Sequence, residues 1–153
     1  MANNIISQKD KAKMFDYLKD YQDYIKPNFG NYDYLDQEFH KFISTNDIYL
    51  GSCSKKCKKK ASKHQYFILF EQTKPKNKDN DVIHHLLRHI RNAIAHGRIK
   101  REDNIFQLKD YNNHHKTMSG KIDRMLLFDL ISVSKKTLTC MSSTNLNSHL
   151  TTN

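Results

Sequence analysis

The chain has 153 residues, of which 37% are hydrophobic, so it can fill one hydrophobic core but hardly two, and we expect a single domain. A formal net charge of +10 favours a polyanionic partner such as nucleic acid, although a basic surface that only keeps the protein dissolved is an equally good interpretation. Four glycines and two prolines are too few for a sandwich or barrel of many short strands, and no apolar run is long enough to span a membrane.

The cysteines and the start of the sequence bear on the compartment. Cys53, Cys57 and Cys140 are an odd number in a chain of this size, which is typical of free thiols in a reducing environment. Residues 1–11 lack the apolar centre of a signal peptide. We therefore expect a cytoplasmic protein with no membrane partner.

The first third of the chain predicts two helices. Residues 7–25 and 32–43 carry apolar side chains three or four positions apart, which is the spacing of one helix face. In the first segment these side chains are Met14, Leu18, Tyr21 and Ile25, and in the second they are Leu35, Phe39, Phe42 and Ile43.

The middle of the chain changes from basic to apolar. Residues 52–63 include six lysines, and residues 66–70 form a continuous apolar run that periodicity alone assigns neither to a helix nor to a strand. We favour a helix, because good helix formers precede the run and no partner strand is evident nearby. Residues 73–80 are predicted to be an exposed loop.

The strongest helix signal covers residues 81–97, where Gly97 stands at a position that often closes a helix. Its apolar side consists of Ile83, Leu86, Leu87, Ile90, Ala93 and Ile94. Residues 99–111 alternate apolar and polar side chains around a turn at 102–104, which indicates a small hairpin. A last helix is predicted over 119–138, with Ser119 or Thr117 as its cap.

Together these elements predict an all-α fold. We expect a small bundle of about five helices over residues 1–138, with the short hairpin before the last helix as an optional addition. Residues 139–153 are rich in Ser, Thr and Asn, and we expect a flexible polar tail there.

One side of the 81–97 helix is rich in groups that can move protons. At about 100° per residue, His85, His89, Asn92 and His96 fall within roughly 60° of one another, opposite the apolar side. Imidazole titrates near neutrality and a neighbouring arginine can hold a phosphate, so the combination suits phosphodiester chemistry. For any single histidine, the ordinary alternative is a solvated side chain without a function.

Arg91 lies between this polar side and the apolar side, about 140° from His96 around the helix axis. The two side chains can share one phosphate only through the length of the arginine, a distorted helix, or a second copy of the helix.

The segment Leu-Leu-Arg-His-Ile-Arg-Asn-Ala-Ile-Ala-His-Gly-Arg, residues 86–98, resembles the signature of HEPN domains. That signature is an Arg and a His separated by four to six residues, commonly with a polar residue directly after the Arg. Arg91, Asn92 and His96 match these positions. The predicted helical arrangement over roughly residues 5–138 is similar to that of HEPN domains as well.

The resemblance implies a helical bundle that forms a homodimer, in which two motifs build one composite RNA-cleaving site without a metal or cofactor. Arg91, Asn92 and His96 would be its catalytic residues. They suit attack of a ribose 2′-hydroxyl on the adjacent phosphorus, with His96 exchanging protons and Arg91 stabilising the phosphoryl charge. Asn92 would bind the phosphate or orient His96. The products would be a 2′,3′-cyclic phosphate and a 5′-hydroxyl, and DNA would be spared.

The resemblance also implies a toxin or antiviral defence role, with an antitoxin or another regulatory partner. In HEPN toxins that pair with a nucleotidyltransferase antitoxin, a Tyr that the antitoxin modifies typically stands two positions after the His. This chain has Arg98 there, so we do not expect regulation by that route.

Further RNA contacts are predicted from basic residues near the motif and from the lysine-rich segment, through counterion release. The candidates are Arg88, His89, Arg98, Lys58, Lys59 and Lys60. A zinc site at Cys53, Cys57 and His64 is disfavoured, because zinc motifs usually supply two separated ligand pairs and the lysines would repel a cation. A non-catalytic module that binds RNA or a protein partner, and a metal-dependent hydrolase, remain the alternatives to an endoribonuclease.

Overall fold

The computed structural model describes residues 3–72 and 81–139, and it shows that the all-α prediction is wrong. The described part contains five α-helices and a five-stranded mixed sheet with strand order β1-β2-β5-β4-β3. The helices are α1 (Gln8–Asp20), α2 (Gln37–Thr45), α3 (Lys55–Ala61), α4 (Val82–Ala95) and α5 (Arg124–Lys135). The strands are β1 (Ile48–Gly51), β2 (Tyr66–Phe70), β3 (Ile99–Glu102), β4 (Ile105–Asn112) and β5 (His115–Asp123).

The first two helices follow from local capping. The Ser7 hydroxyl oxygen accepts the backbone N–H of Asp10 at 3.1 Å, which starts α1, and the helix continues as a π-helical turn over Tyr21–Ile25. The predicted helix over 7–25 is therefore confirmed. The second helix begins later than predicted, because the Asp36 carboxylate accepts the N–H of Phe39 at 2.9 Å and caps it there.

The apolar run at residues 66–70 is strand β2, and the predicted helix at this position is wrong. β2 pairs in parallel with β1 and antiparallel with β5, so both of its edges are occupied. Its last three residues are buried, which explains the unbroken apolar pattern: a central strand covered on both faces needs no polar alternation. Its partner strand β5 begins at His115, 45 residues after β2 ends at Phe70. No local pattern in the sequence could therefore indicate that the two strands pair.

The predicted hairpin is confirmed as β3 and β4, with Asp103 in its turn at a φ of 54°. A second hairpin follows between β4 and β5, where Asn113 has a φ of 57°. The start predicted for the last helix is wrong, because residues 119–123 belong to β5. The Asp123 carboxylate accepts the N–H groups of Met125 and Leu126, at 2.9 and 3.2 Å, and caps α5 four residues after the predicted cap at Ser119.

The two faces of the sheet have different surroundings. On the face that we call inner, Phe106, Leu108 and Ile122 join the main hydrophobic core with residues of α1, α2, α4 and α5. On the opposite face, which we call outer, Leu69 of β2 and Ala61 of α3 are buried without belonging to that core. Helix α3 connects the parallel strands β1 and β2 and contacts both, so it covers the outer face at that end.

The predicted loop at 73–80 and nearly all of the predicted tail, residues 140–153, lie outside the described residues. Thr139 donates its backbone N–H to the carbonyl of Asn31 at 2.7 Å, next to an isolated bridge between Tyr32 and Leu138. Within 3–72 and 81–139, no helix combines the length and the apolar character needed to cross a membrane.

Candidate functional site

Helix α4 carries the predicted catalytic residues, and hydrogen bonds fix both of its ends. The Asp81 carboxylate accepts the backbone N–H groups of His84 and Gly30, each at 2.8 Å, and so joins α4 to the segment after α1. At the other end Gly97 adopts a φ of 65°, which confirms its predicted closing role. The predicted apolar side is confirmed too: Ile83, Leu86, Leu87, Ile90 and Ala93 are fully buried, and Ile94 is half-buried.

Arg91 and Asn92 are linked to each other and to the sheet. Arg91 Nη1 donates to Asn92 Oδ1 at 3.0 Å, and the guanidinium carbon lies 5.9 Å from the centre of the Tyr21 ring. Asn92 Nδ2 in turn donates to Asp110 Oδ2 at 3.1 Å. Because Asp110 belongs to β4, a residue of the sheet determines the orientation of the Asn92 amide and, through its oxygen, of Arg91.

A buried hydrogen bond holds Asp110 in place. His89 Nδ1 donates to the same Oδ2 at 2.8 Å, and the side chains of His89 and Asp110 are 2% and 4% exposed. Burial alone would raise the pKa of Asp110, but the hydrogen bonds from His89, Asn92 and the Tyr111 amide outweigh it and hold that pKa below its ordinary value. Asp110 is therefore ionised at neutral pH, and its two oxygens accept from three donors.

Arg88 lies next to this pair rather than free in solvent. Its Nη2 is 3.3 Å from Nδ1 of His85 and 3.3 Å from Nε2 of His89. A neutral His89 that donates from Nδ1 to Asp110 has a lone pair on Nε2 and can accept from Arg88. A protonated His89 would instead donate from Nε2 to the carbonyl of Glu71, which lies 3.2 Å away.

These groups border a polar cavity of about 350 Å³ between α4 and the ends of β4 and β5. It is lined by Glu71, Arg88, His89, Asn92, Asp110, Tyr111, Asn112 and Thr117. At its rim the exposed His115 contacts the Glu71 carboxylate at 2.7 Å. With hydrogen-bonding side chains on all sides, the polar cavity suits a polar ligand rather than an apolar one.

His96 is exposed at the carboxyl-terminal cap of α4 and is not among the residues that line the polar cavity. Its backbone N–H donates to the carbonyl of Asn92 at 3.0 Å, which places it one helical turn beyond the Arg91–Asn92 pair. The structure thus brings Arg91 and Asn92 together and leaves His96 available at the end of the same helix.

The polar side of α4 is largely buried, although the sequence pattern alone is typical of a helix side that faces solvent. His85 is 8% exposed and His89 is 1% exposed, because the sheet and the segment after α1 cover them. His84, which faces neither predicted side, is 4% exposed among Tyr21, Phe29 and Tyr32, and no partner for its ring nitrogens is found among residues 3–72 and 81–139. Burial lowers the pKa values of His84 and His85 to about 4, so both are neutral at physiological pH.

Arg98, two residues after His96, lines a second, basic cavity. Its guanidinium carbon lies 4.5 Å from the centre of the Tyr111 ring, within cation–π range. This cavity, which we call the basic groove, has a volume of about 290 Å³. It is lined by Gly97, Arg98, Lys100, Gln107, Lys109 and Tyr111. Tyr111 borders both cavities.

The lysine-rich segment forms α3, far along the chain from the motif, and Lys58, Lys59 and Lys60 are exposed. Cys53 and Cys57 are free thiols, as predicted. His64 hydrogen-bonds to Asp47 at 2.7 Å, whereas Cys57 lies near the Ser52 hydroxyl. Among residues 3–72 and 81–139, no three His, Cys, Asp or Glu side chains are grouped as metal ligands would be.

Asp110 and Glu71 were missed in the sequence. Both lie on or directly after strands, and their link to α4 depends on a sheet that was not predicted. The sequence nevertheless contained a signal for Asp110. Phe106, Leu108 and Asp110 are two positions apart, so in a strand the carboxylate lies on the same, buried side as the two apolar residues. A buried acid on the apolar side of a strand needs a partner, and such a residue is a candidate for a site.

Two comparisons with known proteins gave no match, and one gave a match over most of the chain. A family model described as HEPN pEK499 p136 matches residues 9–145. No curated protein and no solved structure matches the chain significantly. The matched segment contains every element from α1 to α5, apart from the first residue of α1, and it includes the strands as well as the motif helix.

Proposed function

Since the chain belongs to the HEPN pEK499 p136 family, which suggests a nuclease-type or toxin-like role at the level of the family, we propose that it is an endoribonuclease that cuts single-stranded RNA at a site built on α4. The observation that carries the proposal is the chain of hydrogen bonds from Asp110 through Asn92 to Arg91, on the helix that ends in an exposed His96. Fixed donors and a free imidazole are what phosphoryl-transfer chemistry on RNA requires.

In the proposed reaction, the ribose 2′-hydroxyl attacks the adjacent phosphorus and the bond to the 5′-oxygen breaks. His96 exchanges protons with these oxygens, and the Arg91 guanidinium stabilises the charge on the phosphoryl oxygens. Asn92 is a positioning residue, because its amide oxygen accepts from Arg91 while Asp110 holds its nitrogen. The products carry a 2′,3′-cyclic phosphate and a 5′-hydroxyl.

We further propose that the site is composite and belongs to a homodimer. Arg91 and His96 lie about 140° apart around α4, and in one protomer Arg91 is directed toward Asn92 and Tyr21. A two-fold axis near the end of α4 brings the His96 of one protomer toward the Arg91 of the other.

The ribonuclease proposal is tested with labelled single-stranded RNA in excess chelator. We expect the wild type to produce cyclic-phosphate ends, and Arg91→Ala and His96→Ala to lose at least about 100-fold in cleavage rate. Arg101→Ala and His40→Ala are matched controls, since each removes the same kind of side chain away from α4, and they should cut at nearly the wild-type rate. Absence of cleavage with equal RNA binding by all variants would favour the non-catalytic binding module, and loss of wild-type cleavage in chelator would favour a metal-dependent hydrolase.

The composite site is tested by mixing the Arg91→Ala and His96→Ala proteins. If both protomers contribute to one site, heterodimers contain an intact Arg91 and an intact His96, and part of the activity returns. A protein that is monomeric at the concentrations where it cuts RNA, as measured by sedimentation, contradicts the composite site.

The biological role that we propose is that of a toxin or antiviral effector whose activity is restrained by a regulatory partner or by assembly. Growth of cells that express the wild type, compared with the Arg91→Ala protein, tests this role. Growth arrest by the wild type alone is expected. If the protein cuts RNA efficiently in solution but its expression alone leaves growth unaffected, the proposed need for restraint is contradicted.

A further inference from the structure

We propose that the outer face of the sheet, together with the lysines of α3, binds the single-stranded RNA on either side of the cleaved bond. This inference rests on the proposed function and names the surface that holds its substrate. Register, burial and charge support it independently of the motif.

The register places a row of basic and aromatic residues across the outer face. Phe106 and Leu108 of β4 face the core, so their neighbours Gln107 and Lys109 point to the opposite side. Pairing then aligns residues of all five strands in one row, from the β3 edge to the β1 edge. In order they are Lys100, Gln107, Lys121, Phe67 and Tyr49.

Helix α3 continues this basic surface. It packs against β1 and β2, and both its own Ala61 and the outer-face residue Leu69 of β2 are buried. Its exposed lysines therefore lie on the same side of the sheet as Lys100, Lys109 and Lys121. The segment that contains α3, residues 52–63, has six lysines and no acidic residue.

Two acidic residues near this surface, Glu102 and Asp47, lie at its margins and accept hydrogen bonds. Glu102, at the end of β3, accepts from Gln107 at 3.4 Å, and Asp47 before β1 is bonded to His64 and to the Gln65 amide. The central part of the outer face is thus positively charged, which accounts for part of the net charge of +10.

The basic groove connects this face to the proposed catalytic helix. Arg98 lies three residues after the last residue of α4, over Tyr111 and beside Lys100 and Lys109. An RNA strand that passes His96 therefore reaches Arg98 and the lysines of β3 and β4 next. Lysines bind its phosphates by releasing counterions, and the exposed part of an aromatic ring such as Tyr111 can stack on an unpaired base. The part of the outer face that α3 leaves open, from β3 to β5, is about 10 Å wide at about 4.8 Å per strand spacing, and the lysines of α3 continue the surface beyond it.

The charge-reversal variant Lys100→Glu/Lys109→Glu tests the proposal in a binding assay. The probe is a fluorescent single-stranded 2′-O-methyl RNA of about a dozen nucleotides, which cannot be cut because it lacks the attacking hydroxyl. Anisotropy is measured between about 50 and 200 mM salt. The matched control, Lys9→Glu/Lys11→Glu, makes the same change in charge at exposed positions of α1.

We expect the outer-face variant to bind at least about tenfold more weakly than the wild type, with a slope of log affinity against log salt smaller by about two. The α1 variant should bind within about twofold of the wild type, and both should show wild-type circular dichroism. Equal weakening in both variants, unchanged binding by the outer-face variant, or equally tight binding of duplex DNA would each overturn the proposal.

These outcomes are separable from those of the proposed function. If the wild type binds the uncuttable RNA through the outer face but does not cleave ordinary RNA, the enzyme proposal fails and the binding surface stands. If it cleaves ordinary RNA while the outer-face variant keeps both wild-type affinity and wild-type KM, the binding surface is overturned and the enzyme proposal stands.

Discussion

At the scale of single residues, the proposed active site depends on one buried carboxylate. Asp110 accepts hydrogen bonds from His89 and Asn92 with the same oxygen, and its other oxygen accepts the Tyr111 amide. None of these groups needs to touch RNA. Their effect is on geometry, since an Asn92 amide that could flip would present its nitrogen instead of its oxygen to Arg91.

Replacing this carboxylate by an amide should separate positioning from binding. In Asp110→Asn, one carboxylate oxygen becomes an amide nitrogen that cannot accept, so at least one of the three donors loses its acceptor inside the protein, which costs about 1–3 kcal/mol of stability. We expect kcat for RNA cleavage to fall at least about tenfold with little change in KM, because phosphate contacts on the surface remain.

The matched control for this substitution is Asp10→Asn. Asp10 is 5% exposed and forms an ion pair with Arg124 at 2.8 Å, away from α4. The Asp10→Asn protein should lose about as much stability as the Asp110→Asn protein and keep the wild-type kcat. If both variants lose kcat in proportion to their loss of folded protein, Asp110 has only a structural role.

At the scale of the elements, α4 is enclosed along most of its length, which makes it sensitive to acid. Burial lowers the pKa values of His84 and His85 to about 4, whereas in the unfolded chain both titrate near the ordinary value of about 6.5. Between these values the unfolded state binds more protons than the folded state. Stability is therefore unaffected above about pH 7 and decreases as the pH falls from about 6.5 toward 4.

We expect the free energy of unfolding to fall by about 2 kcal/mol per buried histidine between about pH 7 and pH 5. Urea titrations at both pH values measure the change. His84→Leu should abolish about half of it and cost little at neutral pH, because the imidazole nitrogens of His84 have no partner in the described structure. His114→Ala, which removes an exposed histidine of the second hairpin turn, should leave the pH dependence unchanged.

The elements also show why part of the fold could be predicted and part could not. α1 and α4 are amphipathic with local caps, so their own sequence specifies them. The first hairpin could be predicted because its two strands are joined by a short turn and are therefore close in sequence. β2 could not be predicted as a strand, because its conformation depends on pairing with β1 and with the much later β5.

β5 was missed for a different reason. Met118, Gly120 and Ile122 alternate toward the inner face, but a glycine contributes no side chain to this pattern. Gly120 occupies a closely packed position, since a Cβ there would lie 3.2 Å from Cγ1 of Ile68, and this neighbour would have to shift by a few tenths of an ångström. Among the site residues, the sequence of one helix was enough to predict Arg91, Asn92 and His96. Asp110 could be identified only once the sheet was known, because it contacts Asn92 from β4.

At the scale of the whole molecule, both halves of the described chain share one core. Its buried residues extend from Met14 to Ile131 and come from α1, α2, α4, α5 and four of the strands, while Ile99 adds the fifth. The N-terminal segment is attached as well, because Asn3 exchanges two hydrogen bonds with Asp103 in the β3–β4 turn, at 3.1 and 2.9 Å. An architecture of this kind has no internal boundary at which it could unfold in parts.

We therefore expect unfolding in urea to be a single cooperative transition. Far-ultraviolet circular dichroism follows the helices, and tyrosine fluorescence is usable because the chain has eight Tyr and no Trp. The two curves should coincide in midpoint and slope. A separate early transition in one of them would show that the sheet or the helical layer is an independent unit.

The strand order also determines when, during synthesis, the molecule can first be assembled. β2 is complete at Phe70, but the strand that covers its free edge ends at Asp123, and Asp110 follows Arg91 and His96 in the chain. At about 5–20 residues per second, the roughly 50 residues from the end of β2 to the end of β5 take about 3–10 s to synthesise. For the 14 residues from His96 to Asp110, which take about 1–3 s at this rate, the nascent polypeptide carries the Arg and His of the motif without the carboxylate that orients Asn92. A chain that ends between His96 and β4 thus contains the complete motif but no assembled site, so the proposed ribonuclease activity can appear only after the sheet has closed.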